Sequence, residues 1–314
     1  MQLGLGTAAL GRPQYINLRQ EAPKKQNLEI FKAQGFSVLE EAYKLGIRYF
    51  DTAPGYGLAE QLVLEWLRTK NDPSIQIATK WGYTYVANFN ANAAVHEIKE
   101  HSLEKLKEQW QVSKAFIPHL RVYQIHSATL ETGILDNEAV LDQLALLKEE
   151  YKLEIGITTT GANQLEVIKK ALDVTIGGVP LFDAFQVTYN MLDQSLGEIS
   201  REVVQQEKKI IIKEALANGR LFRNKAYRHY KDLYHELEGL ANKYMVGVDA
   251  IALRFCGQKL PSSILLSGAS NSVQLKENLR LNTFRLTEKE IQELAAFKID
   301  PITYWEERKQ LKWN

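Results

Sequence analysis

Short apolar runs alternate with longer stretches of helical period along almost the whole chain. The runs near 2–6, at Ile47–Asp51, Ile75–Lys80, Arg121–His126, Leu153–Thr158, Ala184–Thr188, Lys209–Lys213 and Ser263–Ser267 are rich in Ile, Val, Leu and aromatic residues and predict buried strands. Between them, amphipathic helices are expected near 33–45, 58–69, 93–111, 137–151, 162–172, 194–207 and 272–280, the first stopped by Gly46. Eight strand–helix units of about equal length predict a (β/α)8 barrel, an α/β fold made as one domain over residues 1–314. The main alternative is a doubly wound sheet. That fold would carry a glycine-rich dinucleotide fingerprint after its first strand. Gly4-Leu5-Gly6-Thr7-Ala8-Ala9 has Ala9 where the third glycine belongs, and no helix is expected to begin there. The stretches 12–32, 214–235 and 299–314 fall outside the repeat and are expected to form loops at the barrel mouth or on the surface.

Candidate chemistry gathers at the C-terminal ends of the expected strands, where a parallel barrel builds its active site. Asp51, Lys80 and His126 each close such a strand, and Tyr56 follows in the turn Asp51-Thr52-Ala53-Pro54-Gly55-Tyr56-Gly57. Taken singly, each has an ordinary reading. Asp51 could cap the next helix, Tyr56 could be a half-buried turn aromatic, Lys80 could be a solvated charge or half of an ion pair, and His126 could be a core histidine satisfied by backbone. Together they fit one task. A tyrosine with a pKa near ~10 is a poor acid at neutral pH. A nearby ammonium would lower that pKa, an aspartate would hold the ammonium in place, and a histidine would orient a carbonyl oxygen. The set forms an acid aimed at an oxygen that gains negative charge, as carbonyl reduction by hydride requires.

In these residues the chain resembles the aldo-keto reductases. The resemblance rests on Leu3-Gly4-Leu5-Gly6-Thr7, Phe50-Asp51-Thr52-Ala53-Pro54-Gly55-Tyr56-Gly57, Ala78-Thr79-Lys80 and Gln124-Ile125-His126. It continues through Ile155-Gly156-Ile157-Thr158, Phe185-Gln186-Val187-Thr188-Tyr189-Asn190 and Ser267-Gly268-Ala269-Ser270-Asn271 with Gln274 and Asn278, spanning nearly the whole chain. It implies a catalytic tetrad of Asp51, Tyr56, Lys80 and His126, with a nicotinamide cofactor lying across the barrel mouth. Carried over residue by residue, the cofactor contacts would be Gly6, Thr7, Asp51, Thr158, Gln186, Lys213, Leu216, Arg220, Ser267, Gly268, Ser270, Gln274 and Asn278. The substrate pocket would include Trp81 and Trp305. In similar proteins a loop matching 214–235 closes over the cofactor pyrophosphate, where Gly219 and Arg220 stand here. Many relatives place lysine and arginine where this chain has Gly268 and Gln274, which weakens a 2′-phosphate site. Others with the same Gly-Ala-Ser-Asn and Gln pattern use NADP, so NADP(H) is expected over NAD(H).

Two departures stand out. Thr158-Thr159 replaces the usual Ser-Asn, whose asparagine holds the nicotinamide carboxamide with the glutamine matched by Gln186. Lys213 occupies a position where an aromatic ring commonly stacks on the nicotinamide. A lysine cannot stack, so it is expected to meet an anionic or polyhydroxy substrate or the cofactor phosphates. Two other classes stay open: a cofactor-binding regulatory protein with little turnover, and a lyase in which Lys80 forms a Schiff base. An adjacent Asp51 would keep that amine charged, against the second.

Composition narrows the partners. With 39 basic and 38 acidic residues the formal charge is +1, so no nucleic-acid partner is implied. The single cysteine, Cys256, excludes an internal disulfide, is expected to be a buried helix residue, and suits a reducing compartment. No basic run followed by an apolar stretch opens the chain, and no apolar run approaches the ~20 residues of a membrane span. A cytoplasmic enzyme acting on a small carbonyl or alcohol substrate, with no metal, is the expectation.

Overall fold

The computed structural model describes residues 1–12, 27–90 and 92–312. Eight parallel strands close into a barrel: β1 (Gln2–Gly6), β2 (Tyr49–Asp51), β3 (Gln76–Trp81), β4 (Leu120–Ala128), β5 (Glu154–Thr159), β6 (Phe182–Thr188), β7 (Lys209–Lys213) and β8 (Ile264–Ser267). Each pairs with its sequence neighbours, and β8 closes the ring on β1. The chain is thus the expected (β/α)8 barrel, surrounded by helices.

Strand alternation divides the core into two layers. Tyr49, Ala78, Val122, Ala184, Ile211, Ile264 and Leu266 fill the barrel interior as one apolar cluster. Their neighbours, such as Phe50, Ile77, Tyr123, Phe185, Ile210 and Ile212, point outward into the larger core beneath the helices. Gly4 makes room within the interior, since a Cβ there would lie 2.9 Å from the Tyr49 ring. The same period of two decides what faces the mouth. Two residues on from the interior cluster come Asp51, Lys80, Gln124, Gln186 and Lys213, all on the inward face at the strands' C-terminal ends.

The helices depart from expectation at definite points. A single helical turn, Ala8–Gly11, follows β1 where none was expected. The helix predicted near 33–45 begins earlier, as α1 (Leu28–Lys44), because the Asn27 side chain accepts from the Glu29 amide at 2.8 Å. Residues 28–32 of the expected insertion therefore belong to a helix, and 13–26 lie outside the described residues. The second helix is α2 (Ala59–Leu67). The helix predicted over 93–111 is wrong in its first half. Glu97–Lys99 pairs antiparallel with Tyr83–Tyr85, and α3 (Leu103–Ser113) starts only where Ser102 caps the Lys105 amide at 3.1 Å. Next come α4 (Glu138–Tyr151), α5 (Gln164–Leu172) and α6 (Ser200–Gln205). The stretch 214–235 ends inside α7 (Lys231–Tyr244), which with α8 (Val248–Lys259) fills the seventh unit. Cys256 is buried in α8, as expected. After α9 (Ser272–Leu279) and α10 (Glu288–Ala295), the C-terminal stretch forms α11 (Pro301–Lys309), started by Asp300, whose carboxylate accepts from the Ile302 amide at 2.9 Å. No helix among the described residues is long and apolar enough to cross a membrane.

One buried acid lies between the layers. Glu60 of α2 accepts from Thr79 at 2.5 Å and Ser113 at 3.2 Å, and burial raises its carboxyl pKa to about 7. In the unfolded chain this group would lose its proton near pH ~4.3. The folded state therefore holds the extra proton between those values, and stability falls as pH rises through that window. Replacing Glu60 with Gln is expected to flatten this slope and raise stability at pH 8 by roughly 1–3 kcal/mol, read by chemical denaturation at pH 5 and pH 8. An unchanged slope would place the proton elsewhere.

Candidate active site

Asp51 is the hub of the site. Its carboxylate takes the Lys80 ammonium on one oxygen, and on the other Gln186 Nε2 at 2.7 Å and Gln124 Nε2 at 3.3 Å. The acid does not cap a helix, because all these partners lie across the barrel mouth. Lys80 is fully buried and also donates to the Thr52 carbonyl at 3.0 Å. An ion pair this dry holds only when both charges are met, and here the two amides and the carbonyl complete the set.

Tyr56 ends the short turn Pro54–Tyr56. Gly57 makes that turn possible: its φ is +64°, and a Cβ there would fall 2.6 Å from the Gly11 carbonyl. The half-buried Tyr56 ring lies 4.9 Å from Lys80 Nζ and 5.5 Å, edge to face, from the His126 ring. Its hydroxyl makes no hydrogen bond to a described residue. The expected direction of its pKa is reversed. Burial, joined by the Asp51 carboxylate, pushes the phenol well above the usual tyrosine range, since Asp51 neutralises the lysine that was to lower it. Tyr56 is therefore a protonated phenol at any physiological pH.

His126 owes its position to a β-bulge. The pairing of β4 with β5 shifts register between Ile125 and Ala128, and Ser127 adopts φ +54°. The Ser127 amide donates to Thr158 Oγ1 at 2.7 Å, and its carbonyl accepts from Lys99 at 2.8 Å. The ring sits against Tyr56 and, at 4.7 Å, Tyr83, with Nδ1 buried and unpartnered. Burial, then Lys80, Arg12 and Lys213, hold the imidazole well below its ordinary pKa, so it is neutral.

The structure thus brings the four tetrad candidates together. Gln124 and Arg12 join them unannounced. Arg12 lies over the Tyr56 ring at 5.5 Å and donates to Gly55 O at 2.9 Å and Glu97 at 2.8 Å. The inward parity of Val122, Gln124 and His126 was the signal for the glutamine; for Arg12, beside an irregular stretch, the sequence held none.

The expected cofactor residues separate into groups. Gly6 and Thr7 stand at the end of β1, where Thr7 donates to the Asp51 carbonyl at 3.0 Å. Thr158 is occupied by the bulge and Gln186 by Asp51. Thr159 donates to Gln164 at 3.4 Å. At β8, Ser267 donates to Asn278 at 2.6 Å, and Asn278 to Asp249 at 2.6 Å. The Ser270 amide and hydroxyl both donate to Gln274 Oε1, at 2.9 and 3.1 Å, and Gly268 faces open space.

Lys213, at the mouth end of β7, donates to Thr188 Oγ1 at 3.0 Å and stands 5.7 Å from the Trp305 ring centre. Glu214 beside it is bound through both oxygens by Arg308 of α11, at 2.5–3.0 Å. Burial would raise that carboxyl, but Arg308 and Lys213 hold it down at about 2. Leu216 packs on the core, and Arg220 is fully buried against α11, donating to the Tyr304 carbonyl at 3.0 Å and Glu307 at 3.1 Å. That guanidinium is held by the C-terminal helix through Nη1 and lies over the Tyr304 ring at 4.1 Å. Trp81 and Trp305 are both buried. Trp81 packs on His101 with its indole N–H unpartnered, and Trp305 donates to Asp193 at 3.2 Å. They lie in the packing beneath the mouth, not on an open wall.

Comparison with known proteins agrees with this geometry. A family model described as the aldo/keto reductase family matches residues 2–299. By sequence the chain is 25% identical over 290 residues to an uncharacterized oxidoreductase of Bacillus subtilis (strain 168), covering 84% of this chain and 88% of that protein. It is 24% identical over 318 residues to the NADH-specific methylglyoxal reductase of Escherichia coli (strain K12), covering 91% of each. The solved structure of a glycerol dehydrogenase from Gluconobacter oxydans has the same fold, with a TM-score of 0.70 at 20% identity over 94% of this chain and 90% of that one. The chain belongs to the aldo/keto reductase family of oxidoreductases.

Proposed function

We propose that the protein is an NAD(P)H-dependent reductase that interconverts an aldehyde or ketone and its alcohol, with Tyr56 as the general acid. The observation that carries this reading is the protonated Tyr56 phenol, without a hydrogen bond to any described residue, beside a buried Lys80–Asp51 pair and a neutral His126. A carbonyl oxygen at the mouth would accept from Tyr56, and His126 would fix its direction. As negative charge grows on that oxygen, Tyr56 gives up its proton while the Lys80 ammonium stabilises the phenolate left behind. A bound nicotinamide would supply the hydride.

The residues present fit such a cofactor. Gly268 faces open space, and the Ser272 and Val273 amides opening α9 have no partner among the described residues, as an anion site at a helix start needs. Ser267, Gly268, Ser270, Gln274 and Asn278 would hold the adenosine half, and Gln186 with Thr158 the carboxamide. NADP(H) is favoured over NAD(H) on the Gly-Ala-Ser-Asn and Gln pattern, although the relative from E. coli is named as NADH-specific. A cytoplasmic setting fits the single, buried Cys256. Lys80 is ion-paired with Asp51 and donates to the Thr52 carbonyl, which keeps the amine protonated and speaks against its use as a Schiff-base nucleophile.

Titrating the protein with NADPH and NADH while reading tryptophan fluorescence tests the reading. Saturable quenching is expected, tighter with NADPH. Tighter NADH binding would reverse the preference, and no binding by either would remove the reductase reading.

A further inference from the structure

Resting on that reading, we infer that the substrate carries its own anionic group, a carboxylate, and that Lys213 holds it beside the reacting carbonyl. The parity of β7 puts Lys213 on the same face as Ile211, which lines the barrel interior, so the side chain rises into the mouth. Its ammonium has three donors and uses one, on Thr188 Oγ1 at 3.0 Å.

The carboxylates around it are spoken for. Glu214, on its own strand end, is clasped by Arg308 from α11. Asp193, after β6, accepts from Ser195 at 2.6 Å, Gln164 at 3.1 Å and Trp305 at 3.2 Å. Asp51 is taken by Lys80 and two glutamines. No carboxylate of a described residue lies within ion-pair distance of the Lys213 amine. Three other cations near the mouth each have one, Arg12 with Glu97, Lys80 with Asp51 and Arg308 with Glu214, while Lys99 is spent on the Ser127 carbonyl of the bulge at 2.8 Å. An ammonium with spare donors and no acid, raised on the inward face of a barrel strand, suits an anion from outside.

The orientation separates substrate from cofactor. The charges felt at Lys213 are those of Glu214, Arg308, Lys80 and Asp193, and His126 in turn feels Lys213. These lie on the tetrad side, and none belongs to the β8–α9 corner proposed for the adenosine half. Burial, opposed in part by Glu214, lowers the amine to about 8. Anion binding needs the protonated form, so affinity is expected to fall as pH rises through about 8.

The test titrates the cofactor-loaded protein with glyoxylate and with 4-carboxybenzaldehyde, reading tryptophan fluorescence between pH 6 and 9.5. Turnover is measured for each beside its uncharged partner, glycolaldehyde and 4-methylbenzaldehyde. The expected result is saturable binding of at least one anion that weakens above pH 8. Its kcat/KM should exceed that of the uncharged partner at least tenfold, mainly through KM. Lys213→Met should shrink that ratio at least tenfold and abolish the pH effect, and Lys213→Arg should keep the ratio but not the pH effect. Absent anion binding overturns the inference whatever the protein reduces. So does a preference that survives Lys213→Met, or a Lys213→Met defect confined to NADPH and NADH affinity. Anion binding that Lys213→Met abolishes, with no turnover in either series, would uphold the anion site at Lys213 and count against the reductase reading.

Discussion

Tyr56→Phe is expected to lower turnover at least ~10²-fold while NADPH and NADH affinities stay close to wild type, the size of effect that follows loss of a general acid. The substitution is a clean one. The hydroxyl makes no hydrogen bond to a described residue, so its removal orphans no described partner, and the ring keeps its edge contact with His126 and its place beside Lys80. Stability should accordingly change by no more than ~0.5 kcal/mol. Steady-state kinetics on any reduced carbonyl, together with thermal denaturation, checks both halves. Turnover within a few-fold of wild type would take the acid role away from Tyr56.

Lys80→Met should abolish turnover and also destabilise the fold by about 3–5 kcal/mol, because it strands the nearly buried Asp51 carboxylate. Gln186 and Gln124 would remain as its only amide donors. Adding Asp51→Asn removes the stranded charge and should return a good part of that loss without restoring activity. Chemical denaturation of the two variants separates the effects. A double variant no more stable than the single one would show that the pair is not what Lys80 contributes to the fold.

That the four candidates would meet was legible in the sequence for a physical reason. Strand parity and a parallel barrel leave few places where residues ending three separate strands can go, and Asp51, Lys80 and His126 occupy them. What was hidden depended on partners distant in the chain. Residues 93–102 look helical by local pattern, yet Glu97–Lys99 is claimed by Tyr83–Tyr85 across a hairpin. Arg220 reads as a loop cation suited to phosphate, yet Glu307 and the Tyr304 carbonyl, over 80 positions away, draw it inward. The direction of the Tyr56 shift could not be read without knowing that Asp51 cancels Lys80 at contact distance. The bulge at Ser127 that aims His126 is equally silent, since it arises where β4 and β5 fall out of register.

The match to the family pattern stops at residue 299, just before α11 begins at Pro301. Yet α11 carries the guanidinium that secures Glu214, the indole next to Lys213 and the tyrosine hydroxyl that accepts from Asn190 at 3.0 Å. A segment outside the matched pattern thus holds residues inside it in place at the mouth. A cut just after residue 299 would release Glu214 from Arg308 and Asn190 from Tyr304 while sparing the hub at Asp51.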